Sequence, residues 1–133
     1  MRSVKDSSTR PRQSVLVVDD DDDLRESFRD VLEDEGYRVL TASNGYEALR
    51  TLRSEPPPSV ILLDLMMPVM NGWQFRTAQQ LNPELANIPV VIVTAGLNID
   101  AATRDLAAHR CLKKPVSVEE LLDAVQPLCR GSA

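Results

Sequence analysis

Five aspartates in a row, Asp19 to Asp23, follow directly on an aliphatic run, Val15-Leu16-Val17-Val18. Asp64 closes a second apolar run, Thr94 closes a third, and Lys114 stands just after a short fourth. Carboxylates crowded at the ends of buried segments are costly unless something neutralises them. A hard divalent cation does so. Magnesium prefers oxygen ligands, keeps several waters, and suits one or two carboxylates plus a phosphate. Asp19, Asp20 and Asp64 supply such a donor set, and the absence of histidine at these places argues against zinc. The only histidine, His109, falls in a loop and reads as a solvated surface residue. Part of the aspartate run needs no chemistry. Asp22 or Asp23 can cap the helix that follows, where the helix dipole favours anions.

The elements that must position these residues follow from periodicity. Val15 to Val18, Arg38 to Thr41, Val60 to Asp64, Val90 to Thr94 and Cys111 to Lys113 read as strands, the continuous aliphatic runs as strands buried on both faces. Between them, Leu24, Phe28, Val31 and Leu32 have helical spacing, with Gly36 where a C-cap belongs. Asn44 caps a helix carrying Ala48, Leu49 and Leu52, which Pro56-Pro57-Pro58 ends. Gly72 to Leu81 and, more weakly, Asp100 to Ala108 read as helices. Ser117 and Glu120 form a capping box for a last helix with Leu121, Leu122, Val125 and Leu128 on its inner face. Five strands alternating with five helices specify an α/β domain with a parallel sheet, and right-handed crossovers make it a doubly wound three-layer sandwich. Such sheets bind ligands at the carboxyl ends of their strands, near the point where strand order reverses. The acids, the threonine and the lysine all fall on that edge.

With 133 residues the chain fits one domain, residues 14–130, after a polar N-terminal stretch, residues 1–13, expected to be a flexible tail. A net charge of −5 disfavours non-specific binding to nucleic acid or anionic membrane. Cys111 and Cys129 have no metal-ligand spacing, the N-terminus has no signal-peptide character, and no apolar run is long enough to span a bilayer. A reduced cytoplasmic setting is the simplest expectation.

The segments VLVVDDD, LLDLMMPVMNG, VIVTAG and LKKP, in this order, closely resemble the receiver domains of two-component response regulators, from about Val15 to the final helix. The resemblance implies a chemotaxis-regulator-like sheet of order 2-1-3-4-5. It implies that Asp64 is the phosphoacceptor, charged by a histidine kinase or phosphotransfer protein, and that Mg2+ is held by Asp19, Asp20, Asp64 and the backbone carbonyl of Met66. Thr94 matches the switch hydroxyl. Lys114 matches the lysine that contacts the phosphoryl oxygens, because that lysine directly precedes a proline whose bond is cis in relatives; Lys113 then faces the other side of its strand. The domain is expected to catalyse only its own phosphotransfer and autodephosphorylation, as a monomer or weak dimer acting on a downstream protein target.

Two features depart from the family pattern. Cys111 stands where relatives carry Tyr or Phe as the second half of the switch, and Ala107-Ala108 replace the usual Gly-Ala pair. Output is therefore expected through a modified fourth helix or without aromatic burial. Met66, Met67 and Met70 read as loop packing around Pro68, and Trp73 as a helix-face anchor. A dehalogenase-like phosphohydrolase would need an acid where Met66 stands, and a flavin module would not place five aspartates against a phosphate. A phosphorylation-independent module usually lacks one of the acids or the lysine, and none is lost here. With no output domain after residue 129, the expectation is a stand-alone receiver, although a receiver fragment of a larger regulator would have the same sequence.

Overall fold

The computed structural model describes residues 13–95, 101 and 104–130. The strands are β1 (Ser14–Val18), β2 (Arg38–Ala42), β3 (Val60–Leu63), β4 (Val90–Thr94) and β5 (Arg110–Lys113), all parallel, in the order β2-β1-β3-β4-β5. The central strands β1, β3 and β4 are buried along their whole length, which is why their sequences are unbroken aliphatic runs. The edge strands β2 and β5 carry exposed Arg38, Arg110 and Lys113.

Among the described residues four helices are defined, not the five expected: α1 (Asp22–Asp34), α2 (Gly45–Ser54), α3 (Gly72–Leu81) and α4 (Val118–Arg130). Of the helix expected over 100–108, Ala101, Arg104 and Asp105 are helical, while 100, 102 and 103 lie outside the described residues. Its end is a turn in which Ala107 takes a left-handed φ of 52°. The expected tail also lies outside the described residues except for Gln13, whose carbonyl accepts the Arg38 N–H at 2.9 Å.

Alternation along the strands sends side chains to two faces. On one, Leu16, Val18, Ile61, Leu63 and Ile92 pack with Ala48 and Leu52 of α2 and Phe75 of α3. On the other, Val15, Val17, Leu62, Val91 and Val93 pack with Phe28 and Leu32 of α1 and Leu121 and Val125 of α4. Helices thus cover both faces of the sheet, giving the three layers.

The caps place the helix starts. Asp21, rather than Asp22 or Asp23, caps α1: its backbone is extended and its side chain accepts the Asp23 and Leu24 N–H groups at 2.9 and 3.2 Å. Asn44 caps α2, Asn71 and Gln74 form a capping box on α3, and Ser117 and Glu120 form the expected one on α4. The loop after β3 buries Met67 and half-buries Met70, as expected, but leaves Met66 61% exposed. In the same loop Val69, 81% exposed, is held at φ 69°, a left-handed conformation unfavourable for a β-branched residue. Val69→Gly is expected to stabilise the domain by about 0.5–1 kcal/mol, the relieved strain exceeding glycine's added chain entropy, and to raise the denaturant midpoint. An unchanged or lowered midpoint would contradict it.

A buried polar network lies under α3. Arg76, 6% exposed, donates to the carbonyls of Leu106 and Ala107 at 2.8 and 2.9 Å and to the Gln79 side chain at 2.7 Å. Gln79, fully buried, donates in turn to the carbonyls of Leu85 and Ile88. Burial pulls the Arg76 pKa below its ordinary value. Sequence reading missed this arginine, since one cation on an amphipathic helix looks solvated.

Candidate functional site

Strand order reverses between β1 and β3, and their carboxyl ends are tied together by the Asp64 N–H, which donates to Val18 at 2.9 Å. Asp19 and Asp64 follow these two ends directly and are 2% and 4% exposed, while Asp20 beside them is open to solvent. Oxygen atoms of Asp19, Asp20 and Asp64 lie within 4.8 Å of one another. Lys114, just past β5, places Nζ 2.9 Å from Asp19 Oδ2 and 3.7 Å from Asp64 Oδ2. Its backbone N–H bonds to the Thr94 carbonyl at 2.8 Å, and the Lys114–Pro115 peptide is cis. Lys113 is exposed. The chain therefore brings together Asp19, Asp20, Asp64 and Lys114, as the sequence predicts.

Thr94 ends β4, one position past the residue level with Asp64. Its hydroxyl is buried and has no hydrogen-bond partner among the described residues. A buried, unbonded hydroxyl is costly, so a group that bonds it would relieve that cost. Met66 lies in the exposed loop, and its N–H donates to Asp64 Oδ1 at 3.3 Å. Gly72, at the start of α3, approaches so closely that a Cβ there would lie 2.6 Å from the Asp64 carbonyl oxygen. Only glycine permits that contact.

The electrostatics are those of crowded carboxylates. The pKa of Asp64 is raised to about 6, first by burial and then by the charge of Asp19, with Asp20 adding to the rise; Lys114 and the Met66 N–H oppose it. Burial works against the Lys114 ammonium, but the hydrogen bond and charge of Asp19, with the charges of Asp64 and Asp20, outweigh it and raise its pKa. Three oxygen donors carrying more negative charge than one lysine balances fit a hard divalent cation such as Mg2+.

One further contributor escaped sequence reading. Arg25 of α1 donates to the Asp19 carbonyl at 2.6 Å and pairs with Asp22. It is the first cation after the aspartate run, and that position was its only signal. Cys111 is half-buried against the core on the α2–α3 side, His109 is exposed, and Trp73 remains 37% exposed. No helix among the described residues is long and apolar enough to cross a membrane.

A doubly wound α/β domain with an acidic, cation-fitting pocket at its switch point, flanked by a lysine and a buried threonine, has the architecture of a signalling receiver. The chain belongs to the response regulator receiver domain family, which matches residues 15–126. It is 40% identical over 121 residues to the transcriptional regulatory protein CpxR homolog of Haemophilus influenzae, covering 90% of this chain and 51% of the relative. The chain thus spans about half the length of the curated relatives it matches. Among solved structures it resembles the chemotaxis response regulator CheY4 of Vibrio cholerae, with 31% identity, a TM-score of 0.80, and 88% and 98% of the two chains covered. It also resembles a response regulator structure from Chloroflexus aurantiacus, with 29% identity, a TM-score of 0.81, and 90% and 98% covered. The domain is a receiver of two-component signalling.

Proposed function

We propose that Asp64 accepts a phosphoryl group from a histidine kinase or phosphotransfer protein in the cytoplasm, and that the phosphorylated domain acts through contacts with a downstream protein. The observation that carries this reading is the convergence of Asp19, Asp20 and Lys114 on the Asp64 carboxylate. Asp19, Asp20, Asp64 and the Met66 carbonyl would hold Mg2+, which when bound supplies positive charge to the phosphoryl oxygens.

An Asp64 oxygen attacks phosphorus, the bond from phosphorus to the donor breaks, and an acyl phosphate forms on Asp64. The transition state is loose, so the protein's work is alignment and charge neutralisation. Lys114, already between Asp19 and Asp64, offers its ammonium to one phosphoryl oxygen. A compact lysine charge suits this better than a planar guanidinium. The Thr94 hydroxyl, without a partner among the described residues, donates to another phosphoryl oxygen. The domain is proposed to turn over nothing beyond its own phosphotransfer and autodephosphorylation, as a monomer or weak dimer.

Incubation with acetyl phosphate and Mg2+, followed by intact-mass measurement, tests the assignment. The wild type is expected to gain one phosphoryl adduct, lost with EDTA, and Asp64→Ala to gain none. An adduct of equal yield in Asp64→Ala removes Asp64 from the role.

A further inference from the structure

Leu106, Ala107 and Ala108 lead into β5, whose second residue is Cys111. The structure puts an unexpected contact at the same place. Arg76 holds the Leu106 and Ala107 carbonyls, and Ala107 is the residue in the left-handed conformation.

The first residue of the same helix touches the phosphoacceptor. The Gly72 N–H donates to the Leu65 carbonyl at 3.0 Å, and the backbone of Gly72 lies against the Asp64 carbonyl. Gly72 and Arg76 are four residues apart on α3, and so lie on one face of the helix about one turn apart. The Asn71–Gln74 capping box fixes the start of that turn. Contacts therefore run without a break from the Asp64 backbone through the first turn of α3 to the Arg76 guanidinium, and from it to the segment entering β5.

We propose that Arg76 is the positioning residue that couples the phosphoacceptor to the Leu106–Ala108 segment. The proposal deepens the phosphoacceptor reading, since it names how occupancy of Asp64 is communicated. It puts the responsive surface at the join of α3 and the entry to β5.

Amide chemical shifts and hydrogen exchange in the full chain test it with Arg76→Lys, which keeps the charge but reaches fewer acceptors, and Arg76→Met. Without ligand, exchange at Ala107 and His109 is expected to rise about tenfold or more in Arg76→Met, and less in Arg76→Lys, through loss of charge-assisted hydrogen bonds. Because coupling is reciprocal, the Leu65 and Met66 amides should shift in both variants. Variants in which Ala107 and His109 loosen while Leu65 and Met66 keep wild-type shifts would make Arg76 a local pin and overturn the coupling. Beryllofluoride with Mg2+ then probes the occupied state. The Met66 amide should respond in every form, and the Ala107 and His109 amides in the wild type but not in Arg76→Met. A response at Ala107 and His109 of equal size in Arg76→Met overturns the proposal. A wild-type Met66 amide that does not respond counts against the phosphoacceptor reading instead, and the ligand-free comparison still decides the coupling.

Discussion

Arg76→Met is expected to lower the stability of the domain by about 3–5 kcal/mol, and its melting temperature by roughly 10 °C or more. The methionine fills much of the same space, so the loss comes from polar groups rather than from a cavity. Removing the guanidinium leaves the Leu106 and Ala107 carbonyls and the Gln79 side-chain oxygen without their donor, in a region where Arg76 is 6% exposed and Gln79 is fully buried. Each unsatisfied buried acceptor costs about 1–3 kcal/mol, and some relaxation keeps the total below the simple sum. Arg76→Lys is expected to fall between, because one ammonium cannot reach three acceptors in the geometry of the planar fork. Arg50→Met, at an exposed position of α2, is the control and should change stability by no more than about 0.5 kcal/mol. Denaturant unfolding of the three variants reads the difference. A loss at Arg76→Met no larger than at Arg50→Met would mean the network contributes nothing to stability.

Asp64→Asn is expected to stabilise the metal-free domain at pH 7.5 by up to about 3 kcal/mol. The pKa of Asp64 is raised to about 6 from an ordinary 3.8, chiefly by burial and by the charge of Asp19. The folded state therefore disfavours the ionised carboxylate, and folding takes up a proton between those two values. The contribution of this group to stability is poorest above pH 6 and improves as pH falls toward about 4. Asparagine, nearly the same shape and always neutral, removes the penalty. The gap between variant and wild type should be widest at pH 7.5 and close progressively down to about pH 4, and taking this difference cancels the carboxylates that do not interact with Asp64. Saturating Mg2+ should narrow the gap at high pH by stabilising the wild type more than the variant. A gap independent of pH would show that Asp64 carries no such burden.

The site was legible where strands end abruptly. A buried strand needs unbroken aliphatic residues, so the step from Val18 to Asp19, from Leu63 to Asp64 and from Val93 to Thr94 marks both the strand end and the polar edge. The helix caps at Asn44 and Ser117 were legible for a similar reason, since a cap bonds to residues three positions away. The cap of α1 was not. Five aspartates in a row are chemically alike, and the choice of Asp21 follows from where β1 lets go of its neighbours, with Asp19 still bonded to Ala42.

By itself, the sequence determined the strand ends to within one residue, that two covered faces were needed, and that one edge would gather acids, a threonine and a lysine. Local periodicity and residue type suffice for that, because each statement concerns a few neighbouring positions. Only the tertiary structure decided that Lys114 rests nearer Asp19 than Asp64, that Arg25 holds the Asp19 carbonyl, and that Arg76 is buried on carbonyls 30 and 31 residues further along. An arginine side chain can satisfy its donors in water or on backbone carbonyls at similar free energy. Which of these it does depends on what the rest of the chain lays over it, and no local pattern records that.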